Sequence, residues 1–258
     1  MYQLKKEEMY KIAPLFEGRH DTLVWSCLQG YMGRAWVDEK DNQASARIIT
    51  GDFCFYAGRP NLELVNNIPE DYTSDYLLVI PPDSEWANLI EQVYKEGCHK
   101  FMRYSIKKET DIFDKDKLRS YIEGLPAEYN IRRIEEDLYH QIMKEDWSKY
   151  LCSQFPTYQD YDKLGLGYVA LYQGKVVCGA SSYTVYHKGI EIEIDTKEEH
   201  RRKGLALACA SALILDCLNR GMYPSWDAAN KESVALAEKL GYHLDKEYVT
   251  YAVLTKTI

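Results

Sequence analysis

One stretch constrains the chain more than any other. Ile190, Ile192 and Ile194 alternate strictly with Glu191, Glu193 and Asp195. Successive side chains on a strand point to opposite faces, so this segment is a strand with one apolar face and one acidic face. It leads into Lys197-Glu198-Glu199-His200-Arg201-Arg202-Lys203-Gly204, and then into Leu205 to Leu218, which has no internal helix breaker. That helix is rich in Ala and Cys, small residues that let it lie close on a sheet. Strand, glycine-ended loop and long apolar helix together demand a layered α/β or α+β domain. The first-turn N–H groups of such a helix are unpaired and stabilise an anion. Gly204 and Ala206 keep bulk away from that point, and Arg201, Arg202 and Lys203 add positive potential. The same residues also fit a solvated charged loop ahead of an ordinary helix.

The flanking pattern supports a mixed sheet. Leu166 to Tyr172 and Val176 to Tyr186 read as antiparallel strands around the turn Gln173-Gly174-Lys175. Met222 to Trp226 is a short strand, Ser233 to Leu240 a helix that Gly241 closes, and Lys246 to Thr255 a last strand. The first half is less regular. Glu7 to Phe16 and Leu23 to Met32 have helical faces, while Ala46 to Ile49, Phe53 to Ala57 and Asp75 to Ile80 read as strands. Ser84 to Tyr94 is a helix with Ser84 placed to cap it. Lys100 to Ile106 is a strand; Lys117 to Ile122 and Ile134 to Lys144 are helical. A length of 258 residues suits two domains. The strongest central turn signal, Gly124-Leu125-Pro126, divides the chain into 1–124 and 125–258.

Composition excludes several classes. Aromatics at 13% and hydrophobic residues at 46% argue for packed cores rather than disorder. A net charge of -8 argues against a nucleic-acid-binding protein. No apolar run is long enough to span a bilayer, and the first residues lack the pattern of a signal peptide. The 7 cysteines are widely spaced with no Cys-x-x-Cys pair, so reduced thiols in a cytoplasmic protein are expected, and no metal site.

Two blocks carry a family resemblance. Arg201-Arg202-Lys203-Gly204-Leu205-Ala206 is similar to Arg/Gln-x-x-Gly-x-Gly/Ala, the acyl-CoA-binding signature of the GNAT N-acetyltransferase superfamily. Asn230-x-x-Ser233, followed by Leu240-Gly241-Tyr242, resembles the superfamily's Asn-x-x-Ala/Ser … Leu-Gly-Phe/Tyr block. The resemblance covers about residues 130 to 258. The whole chain also looks like the two-part bacterial group that includes zwittermicin A resistance-type acetyltransferases. It implies a mixed, mostly antiparallel GNAT sheet preceded by a smaller, divergent α/β domain. It implies acetyl-CoA as co-substrate, its pyrophosphate on the amides of Arg202, Lys203, Gly204, Leu205 and Ala206 with Arg201 beside them. Ile194, Asp195 and Thr196 would pair through their backbone with the pantetheine arm, and Asn230 and Ser233 would lie near that arm or the diphosphate. The 190–196 strand and the Met222 to Trp226 strand would splay apart to admit the thioester.

The reaction implied is direct acetyl transfer to a primary amine, with a small molecule as the expected acceptor, neither nucleic acid nor membrane as partner, and a homodimer by analogy. Attack needs a deprotonated amine, so a carboxylate is required nearby. Glu191 and Glu193 share the acidic strand face and are the candidates for the base, although any solvent-facing strand alternates in this way. Asp227 is a third candidate. The resemblance implies a tyrosine in the last helix that protonates the leaving thiolate; Ala237 stands there instead, which keeps open a non-catalytic acyl-CoA-binding or sensing module. Phe155 to Tyr168, with Tyr158, Tyr161, Asp160 and Asp162, could receive a cationic amine or could pack inside. Cys209 and Cys217 are expected in the core.

Overall fold

The computed structural model describes residues 1–41 and 43–255. In chain order the elements are β1 (Tyr2–Gln3), α1 (Thr22–Leu28), β2 (Arg34–Val37), β3 (Ser45–Thr50), β4 (Phe53–Gly58), α2 (Leu62–Asn66), β5 (Tyr76–Ile80), α3 (Ser84–Tyr94), β6 (Cys98–Ile106) and α4 (Lys115–Glu123). They continue with β7 (Tyr129–Arg133), α5 (Glu136–Ile142), α6 (Tyr158–Leu164), β8 (Gly167–Tyr172), β9 (Lys175–Tyr186), β10 (Gly189–Thr196), α7 (Leu205–Asn219), β11 (Tyr223–Ser225), β12 (Asp227–Ala228), α8 (Lys231–Leu240) and β13 (Leu244–Leu254). Two compact units result. One is Met1–Arg103 with the segment from Glu247 onward; the other is Tyr104–Lys246. The division therefore falls within β6 and β13 rather than at Gly124-Leu125. Gly124 is a helix stop: it C-caps α4, which packs on α7 inside the second unit.

In the first unit, β2, β3 and β4 form an antiparallel meander. β5 then joins β4 in parallel, through Phe53–Phe55 against Leu78–Ile80, and β13 lies antiparallel on β5. Trp36, Tyr56, Leu77, Trp86 and Ile90 fill the core. Arg47 is fully buried there. Its guanidinium donates to the carbonyls of Leu64 (2.7 Å) and Asn67 (2.6 Å) and lies 4.6 Å from the Trp36 ring centroid. The carbonyl end of α2 and a ring face thus compensate the charge in place of a carboxylate. The helix expected over Glu7 to Phe16 is instead two 3₁₀ turns, Lys6–Lys11 and Ala13–Phe16, with Pro14 interrupting the N–H series. Asp83, not Ser84, caps α3.

In the second unit the sheet order is β11-β10-β9-β8-β7, antiparallel except for the β10–β11 pair. α7 crosses β8, β9, β10 and β11 on one face; α5 and the short turn Lys149–Leu151 contact the sheet as well. The β9–β10 ladder pairs Glu191 with Thr184 but Ile192 with Ser182, so Tyr183 is a bulged extra residue. Strand β7 and helix α6 carry no clear sequence signal, and β11 is shorter than the Met222 to Trp226 reading.

Candidate active site

β10 and β11 are neighbours only over Gly189–Glu191 and Tyr223–Ser225. Beyond Ser225 the chain turns at Trp226 and enters β12, where Asp227 and Ala228 pair with Ser105 and Tyr104 of β6. Ile192 to Thr196 keep their β9 partners but have left β11 behind. The expected splay is thus present in the ladder registers, and it exposes one backbone edge of β10 to an extended polar chain.

The two faces of β10 differ as the alternation requires. Ile194 lies across from Ala180, itself across from Tyr168, whose hydroxyl donates to Asp216 of α7 at 3.0 Å. The isoleucines therefore face α7. Glu193 lies across from Ser181, whose hydroxyl meets that of Tyr161 on α6 at 2.8 Å, so the carboxylates face the other way. Glu191 is 6% exposed and sits at the mouth of the splay, opposite Thr184 on β9 and Ser225 on β11. Tyr186 closes this corner, its hydroxyl 2.7 Å from Ser225 Oγ. Burial raises the Tyr223 hydroxyl above its ordinary pKa; the Glu109 amide opposes this, and the charges of Glu109 and then Glu191 add to it. The Thr184 hydroxyl is buried without a hydrogen bond. Asp195 is half-buried; burial pushes its carboxyl up, against the Thr196 amide (2.7 Å) and the nearby Arg201.

The loop after β10 ends at the N-terminus of α7. Arg201 Nε donates to the Thr196 carbonyl at 3.1 Å and ties the loop back to the strand end. Arg202 and Gly204 both have positive φ, 60° and 80°. Gly204 occupies the N-cap position, and no side chain caps the helix. A Cβ at Gly204 would have nothing within 4 Å, so the glycine is required by its backbone angle and leaves open space before the helix. Arg201 to Gly204 are exposed. An anion fits here because it meets unpaired N–H groups, a helix dipole of 15 residues and three basic side chains. These residues fit the diphosphate of an acyl-coenzyme A.

The remaining expected residues are placed as follows. Asn230 caps α8, its Oδ1 accepting from the Ser233 amide at 2.8 Å, and Ser233 Oγ accepts from Trp226 Nε1 at 3.0 Å. Asp227 stands on the β12 side of the splay. Ala237 is fully buried. The aromatic stretch divides: Phe155 and Tyr161 are core residues, whereas Tyr158 reaches Asp162 at 3.4 Å. Those two line an open groove of about 610 Å³ with Glu135, Glu136, Asp137 and His140. Cys209 and Cys217 are fully buried, and burial pushes the Cys217 thiol up to about 12. Every cysteine is free, and all but Cys98 are buried. Sequence reasoning missed Tyr186, Ser225 and Tyr129, which reach the site through pairings that local pattern does not reveal. Among the described residues no helix is long and apolar enough to cross a membrane.

Comparison with known proteins places this geometry. Residues 13–251 match the family model described as GNAT acetyltransferase. The chain is 26% identical over 262 residues to YdfB of Bacillus subtilis strain 168, an uncharacterised N-acetyltransferase, covering 97% of this chain and 98% of that one. It is 43% identical to a GCN5-related N-acetyltransferase-like protein from Streptococcus suis 89/1591, whose crystal structure matches 96% of this chain and 98% of its own with a TM-score of 0.90. A GCN5-related N-acetyltransferase from Kribbella flavida shares the fold at 12% identity, with a TM-score of 0.55 over 83% of this chain and 88% of its own.

Proposed function

Because the chain belongs to the GNAT acetyltransferase family, we propose that its second unit takes acetyl-coenzyme A and transfers the acetyl group directly to a primary amine of a small molecule. The observation that carries this reading is the parting of β10 from β11 beside the uncapped N-terminus of α7. An open strand edge suits the amide-bearing pantetheine arm, and the helix end suits the diphosphate. Residues 192–196, Arg201 to Ala206 and the approach from Asn230 and Ser233 would hold the co-substrate, which supplies an activated thioester carbonyl.

The chain's own groups supply the rest. Glu191 is the proposed base: its buried carboxylate stands where the strands separate, and it takes a proton from the acceptor ammonium, directly or through water, to free the amine that attacks the thioester carbonyl. Glu193 and Asp195, on the same face, hold negative potential that favours a cationic acceptor. Backbone N–H groups at the strand opening stabilise the charge that develops on the carbonyl oxygen. Departure of the thiolate needs no tyrosine at Ala237, since a thiolate is a tolerable leaving group. The proposed setting is reducing and cytoplasmic, a reading that the free, mostly buried thiols support.

Thiol release from acetyl-coenzyme A, measured across a panel of amines, tests the proposal. Binding by calorimetry with no release from any amine or peptide would leave a binding module, the reading that the buried Ala237 favours. No binding at all would remove the cradle.

A further inference from the structure

Tyr129 opens β7, lies across from Tyr172 of β8, and is 8% exposed. Its hydroxyl stands 3.0 Å from His200 Nδ1 and accepts a hydrogen bond from Lys203 Nζ at 3.2 Å. The His200 ring meets Tyr129 edge-on at 5.8 Å and Tyr172 at 5.0 Å. Two residues of the anion-binding loop therefore converge on one phenol. A lysine ammonium only donates, and a phenol has one proton to give. With Lys203 donating to the oxygen, the phenol proton is free to go to His200 Nδ1, the arrangement in which that nitrogen is bare and Nε2 carries the ring proton.

We infer that Tyr129 is a positioning residue for the anion-binding loop: it holds Lys203 at the flank of the α7 N-terminus, keeps His200 neutral, and so couples polyphosphate binding to proton uptake by His200. This rests on the coenzyme reading of the loop. The groups facing His200 are Tyr129 from β7, Tyr172 from β8, and Lys197, Glu199 and Lys203 from its own loop. Burial first, then Lys203, hold its pKa below the ordinary 6.5; Lys197 acts in the same direction and Glu199 opposes. An arriving polyanion favours the protonated ring. His200 is then a stronger base in the complex than in the free protein. Binding takes up a proton between the two pKa values, and affinity rises as pH falls through that window.

Imidazole ¹H–¹⁵N NMR of the full chain reads the first half of this without coenzyme. The His200 signals, identified by their loss in His200→Gln, should show the Nε2–H tautomer and a pKa below 6.5. In Tyr129→Phe the pKa should move up. Calorimetry with coenzyme A in buffers of different ionisation enthalpy reads the second half. Wild type should take up a proton on binding, and Tyr129→Phe should bind about fivefold more weakly, as for one lost hydrogen bond, and lose that uptake. Lys203→Met leaves the buried ring in place and should also raise the His200 pKa, which guards against a Tyr129→Phe protein that folds poorly. A proton found on Nδ1 in the free wild type would overturn the inference. So would a Tyr129→Phe protein with unchanged His200 titration and unchanged affinity. If folded wild type shows the expected tautomer and binds no coenzyme A, the Tyr129–His200 link stands and the coenzyme reading falls.

Discussion

The chain builds one path twice. In the first unit, β4 leads through α2 to β5, which pairs with β4 in parallel over Phe53–Phe55 and is followed by α3. In the second, β10 leads through α7 to β11, which pairs in parallel over Gly189–Glu191 and is followed, after β12, by α8. The ends of the helices differ. α2 has 5 residues and is capped by Asn61, whose side chain accepts from the Leu64 amide; α7 has 15 residues and no side-chain cap. The next helix differs at its third residue. Asp83-x-x-Trp86 opens α3, and Asn230-x-x-Ser233 opens α8. Trp86 is fully buried, stacks on Tyr56 at 4.5 Å, and donates its Nε1–H to the Gly58 carbonyl at 2.9 Å. It fills the space past the last β4–β5 pair and satisfies the strand end. The proposed anion site and cleft thus correspond to groups left unsatisfied in the second unit that the first unit satisfies internally.

That contrast can be broken or sharpened by substitution. The largest effect is expected in the open copy. Glu191→Gln should lower kcat by about 10²- to 10⁴-fold while coenzyme affinity, measured by calorimetry, changes little. Wild-type turnover in that variant would remove Glu191 as base. In the closed copy, Trp86→Ala should cost about 3–5 kcal/mol in denaturant unfolding, because it leaves a cavity and an orphaned Gly58 carbonyl. Gly204→Asp would give α7 a carboxylate such as the one that closes α3, and would force a side chain to positive φ. Coenzyme A binding should weaken by at least about tenfold, or ~1.4 kcal/mol. Unchanged affinity would mean that the helix end is not the anion site. The smallest effect concerns Asp195. Burial raises its folded pKa, so the folded state binds more protons than the unfolded state as pH rises through that range, and ionisation there costs stability. Asp195→Asn should therefore raise Tm by about 1 °C at neutral pH, and the gain should vanish below pH 3.8, where the unfolded carboxyl is already protonated.

Much of the open copy was legible because its signals are local. Alternation along 190–195, a glycine at the loop end and a breaker-free helix each follow from neighbours in sequence, and they placed β10 and α7 within a residue or so. The closed copy hides its relation to the second because Trp86 and Asn61 look like ordinary core and turn residues. β7 is illegible in the sequence because Tyr129–Arg133 has charged residues where a half-buried strand should be apolar. α6 is only 7 residues long, too short for a period to register. Tyr129 meets His200 across 71 residues of chain, a contact that only the ladder from β7 to β10 brings about. Ser233 reads as a helix start, whereas the cap is Asn230, three residues earlier, whose side chain accepts from the Ser233 amide.

Nucleophilic reactivity at sulfur requires a thiolate, and burial holds Cys27, Cys54, Cys152 and Cys217 as neutral thiols, with the less buried Cys98 also pushed up to about 11. Those five thiols therefore offer little to an electrophile at neutral pH. In the proposed transfer, a reagent that labels thiols would therefore report the released coenzyme A rather than these sulfurs.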